Sequence, residues 1–167
     1  MKLFLLFIVL ICCFLIGFKI KNYFTARKVF FENLIIFCQN LKNKISYQNE
    51  KLELLIKEES NFNNNKIFGE FLKVYSSYVK QSLNQIDFKN KLIQQLTFLK
   101  EEEINTIFNF VIKIGIGFQD EELENITNFE NWSKKHLENI TSFNKKFANL
   151  YLKLFLILGV MIFIIFI

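Results

Sequence analysis

The chain carries one histidine, His136, in the run NWSKKHLENI. An imidazole does acid–base work only beside a nucleophile or a second polar group, and metal sites need several ligands at set spacings. With one His, no HExxH and no CxxC, no metal set exists. Cys12 and Cys13 lie inside an apolar run and Cys38 on an expected helix, so all three read as small apolar fillers. GxSxG is absent, and so is the GxxxxGK[ST] of a phosphate-binding loop. Gly115-x-Gly117 lacks the third glycine of a dinucleotide fingerprint and follows a helical pattern rather than a strand. The carboxylates are spread along helix faces and read as solvated surface. Asn125-Ile-Thr127, Asn131-Trp-Ser133 and Asn139-Ile-Thr141 match the glycosylation pattern. In an Asn-rich chain such matches arise by chance, and the side of the membrane expected below forbids the modification. The expectation is no catalytic residue, no cofactor and no metal.

What must be positioned is therefore a surface rather than a reaction. The 167 residues suffice for one domain plus anchors, with 22 Phe and no Pro. Leu3–Phe18 carry no charge and would make a helix of roughly 24 Å. Leu154–Ile167 are also uncharged, and starting at Leu150 admits only Lys153. A bilayer core needs about 20 apolar residues, so both runs are short but adequate when flanking lysines snorkel. The first run lacks an A-x-A-like cleavage site and reads as an uncleaved anchor.

Charge gives the orientation. Lys19, Lys21, Arg27 and Lys28 follow the first run, and Lys145, Lys146 and Lys153 precede or enter the second. Both sets sit on the inner side of their spans, which by the positive-inside rule places the middle in the cytosol and both ends beyond the membrane. The ends hold eight basic residues and no acid, while residues 32–138 hold 13 Lys against 16 Asp and Glu. The basic pI comes from the membrane flanks. A mildly acidic middle argues against nucleic acid as a partner.

The middle reads as helical. Phe30, Phe31, Leu34, Ile35, Phe37, Cys38, Leu41 and Ile45 step by 3 and 4, predicting a long helix that leaves the first span directly. Leu52, Leu55 and Ile56 mark a second helix, and Asn61–Asn65 a loop. Phe68 to Val79, Phe88 to Leu96 and Ile104 to Ile114 mark three more, the last opened by Glu101–Glu103. Gly115 and Gly117 end it, with Asp120 expected as the N-cap of a sixth. Ile140, Phe143, Phe147, Leu150, Leu154 and Ile157 form an apolar seam that predicts an uninterrupted last helix. The fold class is all-α: a cytosolic bundle of about six helices, residues 21–149, between transmembrane helices at 1–20 and 150–167.

Three stretches carry a resemblance. The first span ends in IGF before a basic segment, a long helix leads to ISYQNEKLELLI, and IKIGIGFQDEELENI precedes the last helix. The chain resembles, over its whole length, the stage III sporulation protein AB family of endospore-forming bacteria. Ile45, Tyr47 and Leu52 fit the family's first motif, with Lys51 where Pro is usual. Gly117 and Asp120 fit the second, with Gln119 in place of a small hydroxyl residue. The family's domain is similar to the cytosolic domains of type II secretion F proteins.

The resemblance implies a non-catalytic platform of the mother cell–forespore channel, in the mother-cell membrane around the forespore. Its partners would be a secretion-type ATPase (stage III sporulation protein AA), other channel components and the lipid bilayer, with room for a homo-oligomer. Tyr47, Gly117 and Asp120 are the candidate partner contacts. The alternative is an adaptor of a type II secretion or pilus-like apparatus, separable by its genomic neighbours. A holin-like oligomer is disfavoured by the absence of GxxxG and by the large middle, and a lipid enzyme by the missing constellation.

Overall fold

The computed structural model describes residues 2–48, 52–62, 65–115 and 118–166. Among them are seven α-helices and no strand: α1 Lys2–Gln48, α2 Leu52–Phe62, α3 Lys66–Val79, α4 Gln85–Gln95, α5 Glu101–Lys113, α6 Gln119–Phe143 and α7 Asn149–Phe166. A π turn, Asn144–Ala148, joins the last two. The chain divides into two compact units, Met1–Lys28 with Glu138–Ile167, and Val29–Leu137.

In the second unit the apolar spacing of α1 turns Phe30, Phe31, Leu34, Phe37, Cys38 and Leu41 into one buried face. Helix α3 answers with Phe68, Phe71, Leu72 and Tyr75, and the core continues through Phe88, Leu92, Ile107 and Ile126. Aromatic rings hold it together. Phe30 meets Phe68 at 5.6 Å and Phe71 at 5.7 Å between centroids, and Phe37 meets Tyr75 at 6.3 Å. Phe110 and Phe129 stack α5 on α6 at 3.7 Å, nearly parallel at 9°. Each fully buried Phe contributes roughly 1.5–3 kcal/mol by leaving water. Among the described residues, nine of the 22 Phe lie in this buried core.

The Asn residues have local uses. Asn65 Oδ1 accepts from the Ile67 and Phe68 N–H groups at 3.0 and 3.1 Å and caps α3. Asn84 Oδ1 accepts from Asp87 N–H at 2.8 Å and caps α4. Glu101–Glu103 open α5 as predicted, and a Glu103 oxygen accepts from Lys100 N–H at 2.8 Å. The expected loop Asn61–Asn65 is shorter than its sequence suggests. Helix α2 runs on through Asn61 and Phe62, Asn65 is a cap, and residues 63–64 lie outside those described.

In the first unit two helical stretches run antiparallel. Phe24 lies against Phe143 and Tyr151, with centroids 5.2 and 6.5 Å apart, while further along α1 Cys13 faces Gly159. Asn144 Nδ2 donates to the Phe24 carbonyl at 3.1 Å, where the π turn begins. The predicted seam is corrected here. Phe143, Phe147, Leu150, Leu154 and Ile157 are exposed, while Tyr151, Phe155 and Gly159 turn inward. A π turn inserts extra residue into the helical register and rotates the face that follows it.

Helix α1 is the one helix among the described residues long and apolar enough to cross a membrane, within Phe7–Ser46. Phe4, Phe7, Ile8, Ile11, Phe14, Leu15, Ile16 and Phe18 are all exposed on it. The apolar part of α7, Lys153–Ile164, is shorter, roughly 18 Å of helix.

Candidate functional site

The stretch ISYQNEKLELLI ends α1 and opens α2; IKIGIGFQDEELENI ends α5 and opens α6. The fold brings the two together at one corner of the second unit. Helix α5 stops at Lys113, and Gly115 takes φ +89°, a conformation that only glycine adopts freely. Its N–H donates to Glu122 Oε1 at 2.8 Å, so the first turn of α6 closes back on the turn before it. Leu52 of α2 crowds the same glycine, because a Cβ there would lie 3.3 Å from Leu52 Cδ2. Gln119 Nε2 reaches across to donate to the Ile45 carbonyl at 3.0 Å, tying α6 to the last turns of α1.

Between these ties lies a cavity of about 190 Å³, lined by Ile45, Leu52, Leu55, Ile114, Gly115 and Glu122. A wider groove of about 540 Å³ continues from Gly115 past Leu52, Val79, Leu83, Val111 and Ile114. Gln81, on that groove, has φ +58° and ends α3 through N–H donation to the Tyr78 carbonyl. Lining of this kind is mostly aliphatic and offers burial rather than a reaction.

Of the candidate partner contacts, Asp120 is exposed at this corner. It is not the N-cap expected from its sequence context. Helix α6 begins at Gln119, with Glu122 N–H donating to the Phe118 carbonyl at 3.0 Å, so Asp120 sits inside the first turn. There its charge favours the helix dipole without capping a backbone N–H. Gly117 lies outside the described residues, as does the side chain of Tyr47, whose backbone belongs to α1. The basic flanks fall in the first unit. Lys19, Lys146 and Lys153 are exposed, Lys21, Arg27 and Lys28 are half-buried, and the Lys145 side chain is outside the described set.

Sequence reasoning placed Gln119 in the second motif without a contact, and did not foresee the Glu122 tie or the exposed Phe118. Glu122 follows Gly115 by seven residues, a spacing that fits no standard capping pattern. Phe118 carries no polar signal, yet it is 82% exposed.

His136 lies against the Trp132 ring at 4.4 Å and the Phe31 ring at 5.7 Å, with Nε2 3.7 Å from buried Glu103 Oε1. Ser133, one turn away, is buried, and both its Oγ and His136 Nδ1 lack a hydrogen-bond partner. The nucleophile–base hydrogen bond of a hydrolase is therefore not formed between them. Burial pushes the Cys38 thiol up to about 12, with help from nearby Glu130, which keeps it protonated and unreactive. Burial works to raise the Glu130 carboxyl as well. Hydrogen bonds from Lys134 at 2.6 Å and Gln39 at 3.0 Å, with the charges of Lys134 and Lys42, outweigh it and hold the group below its ordinary range. That network joins α1 to α6. Among the described residues no group of three His, Cys, Asp or Glu is placed to hold a metal ion.

No curated protein and no solved structure matches the chain. The family model for stage III sporulation protein AB matches residues 2–167, the two stretches that meet at the Gly115 corner included. The chain belongs to the stage III sporulation protein AB family.

Proposed function

We propose that this protein is a non-catalytic platform of the sporulation channel, held in the mother-cell membrane by two spans, with residues 21–149 as a cytosolic helical bundle. In this reading the bundle engages the secretion-type ATPase, stage III sporulation protein AA, and other channel components. The observation that carries it is helix α1. One uninterrupted helix, Lys2–Gln48, bears an exposed apolar stretch at its start and the buried face Phe30–Leu41 near its end. A conformational change in an ATPase bound to the bundle would act directly on a helix that also enters the bilayer.

The second span is supported by the antiparallel pairing of α7 with α1 and by the exposed Leu154, Ile157, Met161 and Ile164. A paired apolar helix with an exposed apolar outer face suits a lipid surrounding. The lysines and arginine beside both stretches support a cytosolic bundle.

The test is co-purification of the full-length protein, in detergent micelles, with the ATPase from the same genome. Stoichiometric co-elution is the expected result. Two folded proteins that never associate would remove the ATPase from the reading.

A further inference from the structure

The uncharged stretch Leu3–Phe18 of α1 holds Phe4, Phe7, Phe14 and Phe18 and no other Phe. With Ile11 they step by 3, 4, 3 and 4, and at about 100° per residue the four rings fall within about 80° of one another. All five side chains are exposed, by 44% to 73%. Phe14 lies over Phe18 with centroids 6.4 Å apart and planes at 17°, so these two rings support each other in one outer surface. The stripe is not the contact with α7. The inward residues of α1 are small there: Cys13 faces Gly159, and Gly17 is buried. Along α7 the arrangement is reversed. Phe155 and Phe163 are half-buried, and the exposed residues from Leu154 to Ile164 are Leu, Ile, Val and Met. Lipid tails require only that a side chain be apolar and set no period. A period of 3.5 residues is what a second helix requires, each ring filling the space between residues of its partner.

The stripe suits a copy of itself. Leu3–Phe18 has no charge that would select a different chain or set like charges together. Lys19, the first charge beyond it, is exposed and turned about 100° from Phe18. Every copy enters a membrane in the same sense, so two stripes lie parallel and at one depth. A two-fold axis along the membrane normal then brings each Phe to its own counterpart, in register. Ring pairs across such an axis can stack with an offset or meet edge to face. The exposed parts of the five side chains amount to roughly 500 Å² per copy and about 1,000 Å² for a pair, which reaches the size of a specific contact. We infer that Phe4, Phe7, Ile11, Phe14 and Phe18 form a parallel, two-fold contact between the α1 helices of two copies of this chain. The inference rests on the reading that this stretch lies in the bilayer, and it names what covers its outer face.

The experiment uses the full-length chain in cell membranes, carrying Cys12→Ala, Cys13→Ala and Cys38→Ala, with one cysteine added at a time and a membrane-permeant oxidant. Ile11→Cys, on the stripe, should give a disulfide-linked dimer on a non-reducing gel. Ile16→Cys, exposed on another face about 140° around the helix from Ile11, should stay monomeric. Adding Phe7→Leu and Phe14→Leu to Ile11→Cys keeps the stretch apolar and should lower the linked fraction about 10-fold. An undiminished dimer in that variant overturns the inference, as does equal linking by Ile11→Cys and Ile16→Cys, which is the result of random encounter. Monomer in both, from a chain that resists alkaline extraction, means that lipid covers the stripe; it overturns the inference and leaves the membrane reading standing. A product of Ile11→Cys linked to another protein makes that protein the occupant and overturns it too. A chain released from the membrane by alkaline extraction ends both readings.

Discussion

Gly115 concentrates the constraints at the corner. Its φ of +89° is open to glycine, and Leu52 Cδ2 leaves a Cβ only 3.3 Å. Gly115→Ala should cost about 1–2 kcal/mol, seen as a lowered midpoint in thermal unfolding of the detergent-solubilised chain. Asp120, as a first-turn acid rather than a cap, matters much less to stability, so its exposure is free for recognition. Cys38 makes a pH prediction of defined sign. An unfolded thiol ionises near 9.0, whereas burial keeps the folded one protonated up to about 12. The stabilisation from Cys38 is therefore complete below about 9 and is lost as pH rises toward 12. Alkaline unfolding curves of the parent and Cys38→Ala should converge over that window. In a Cys12→Ala, Cys13→Ala background, a thiol reagent at neutral pH should label Cys38 only after denaturant is added.

At the scale of elements, α7 is fixed by a close approach. An added Cβ on Gly159 would stand 3.2 Å from Cys13 Cβ, near the roughly 3.5–4.5 Å of a disulfide. With Cys12→Ala and Cys38→Ala in the background, Gly159→Cys should cross-link to Cys13 on mild oxidation, read as protection from a thiol-reactive polymer on a gel. A variant that stays reactive would show that the two helices do not pair. The helices themselves were legible because Phe, Leu and Ile recur at 3 and 4 residues, and nearly every such residue from Phe30 to Leu41 is buried. The π turn was not. Ile140, Phe143, Phe147 and Leu150 keep a 3-and-4 spacing whether or not the backbone widens between them, and only packing against Phe24 decides. The corner was half legible. Gly115 announced a helix end, but the Gln119 tie depends on a meeting with α1 that no local pattern contains, and the Glu122 tie spans a seven-residue spacing outside any standard cap.

For the whole molecule the decisive question is sidedness. Lys80, exposed at the end of α3, can carry a single cysteine in a chain otherwise freed of them. A membrane-impermeant reagent should leave Lys80→Cys unlabelled in intact cells and label it after permeabilisation. Labelling from outside would place the bundle on the other face and remove the cytosolic ATPase with it. The core also has a long reach along the chain: Phe31 of α1 packs on Trp132 and His136 of α6. About 100 residues separate them, so at a synthesis rate of about 5–20 residues per second roughly 5–20 s pass between the two leaving the ribosome. Through that interval Phe31 waits without its α6 partners, on a nascent chain whose apolar first stretch is already available to the membrane insertion machinery. The bundle is thus completed late, and through the translation of α2 to α5 holding chaperones would find Phe31 uncovered.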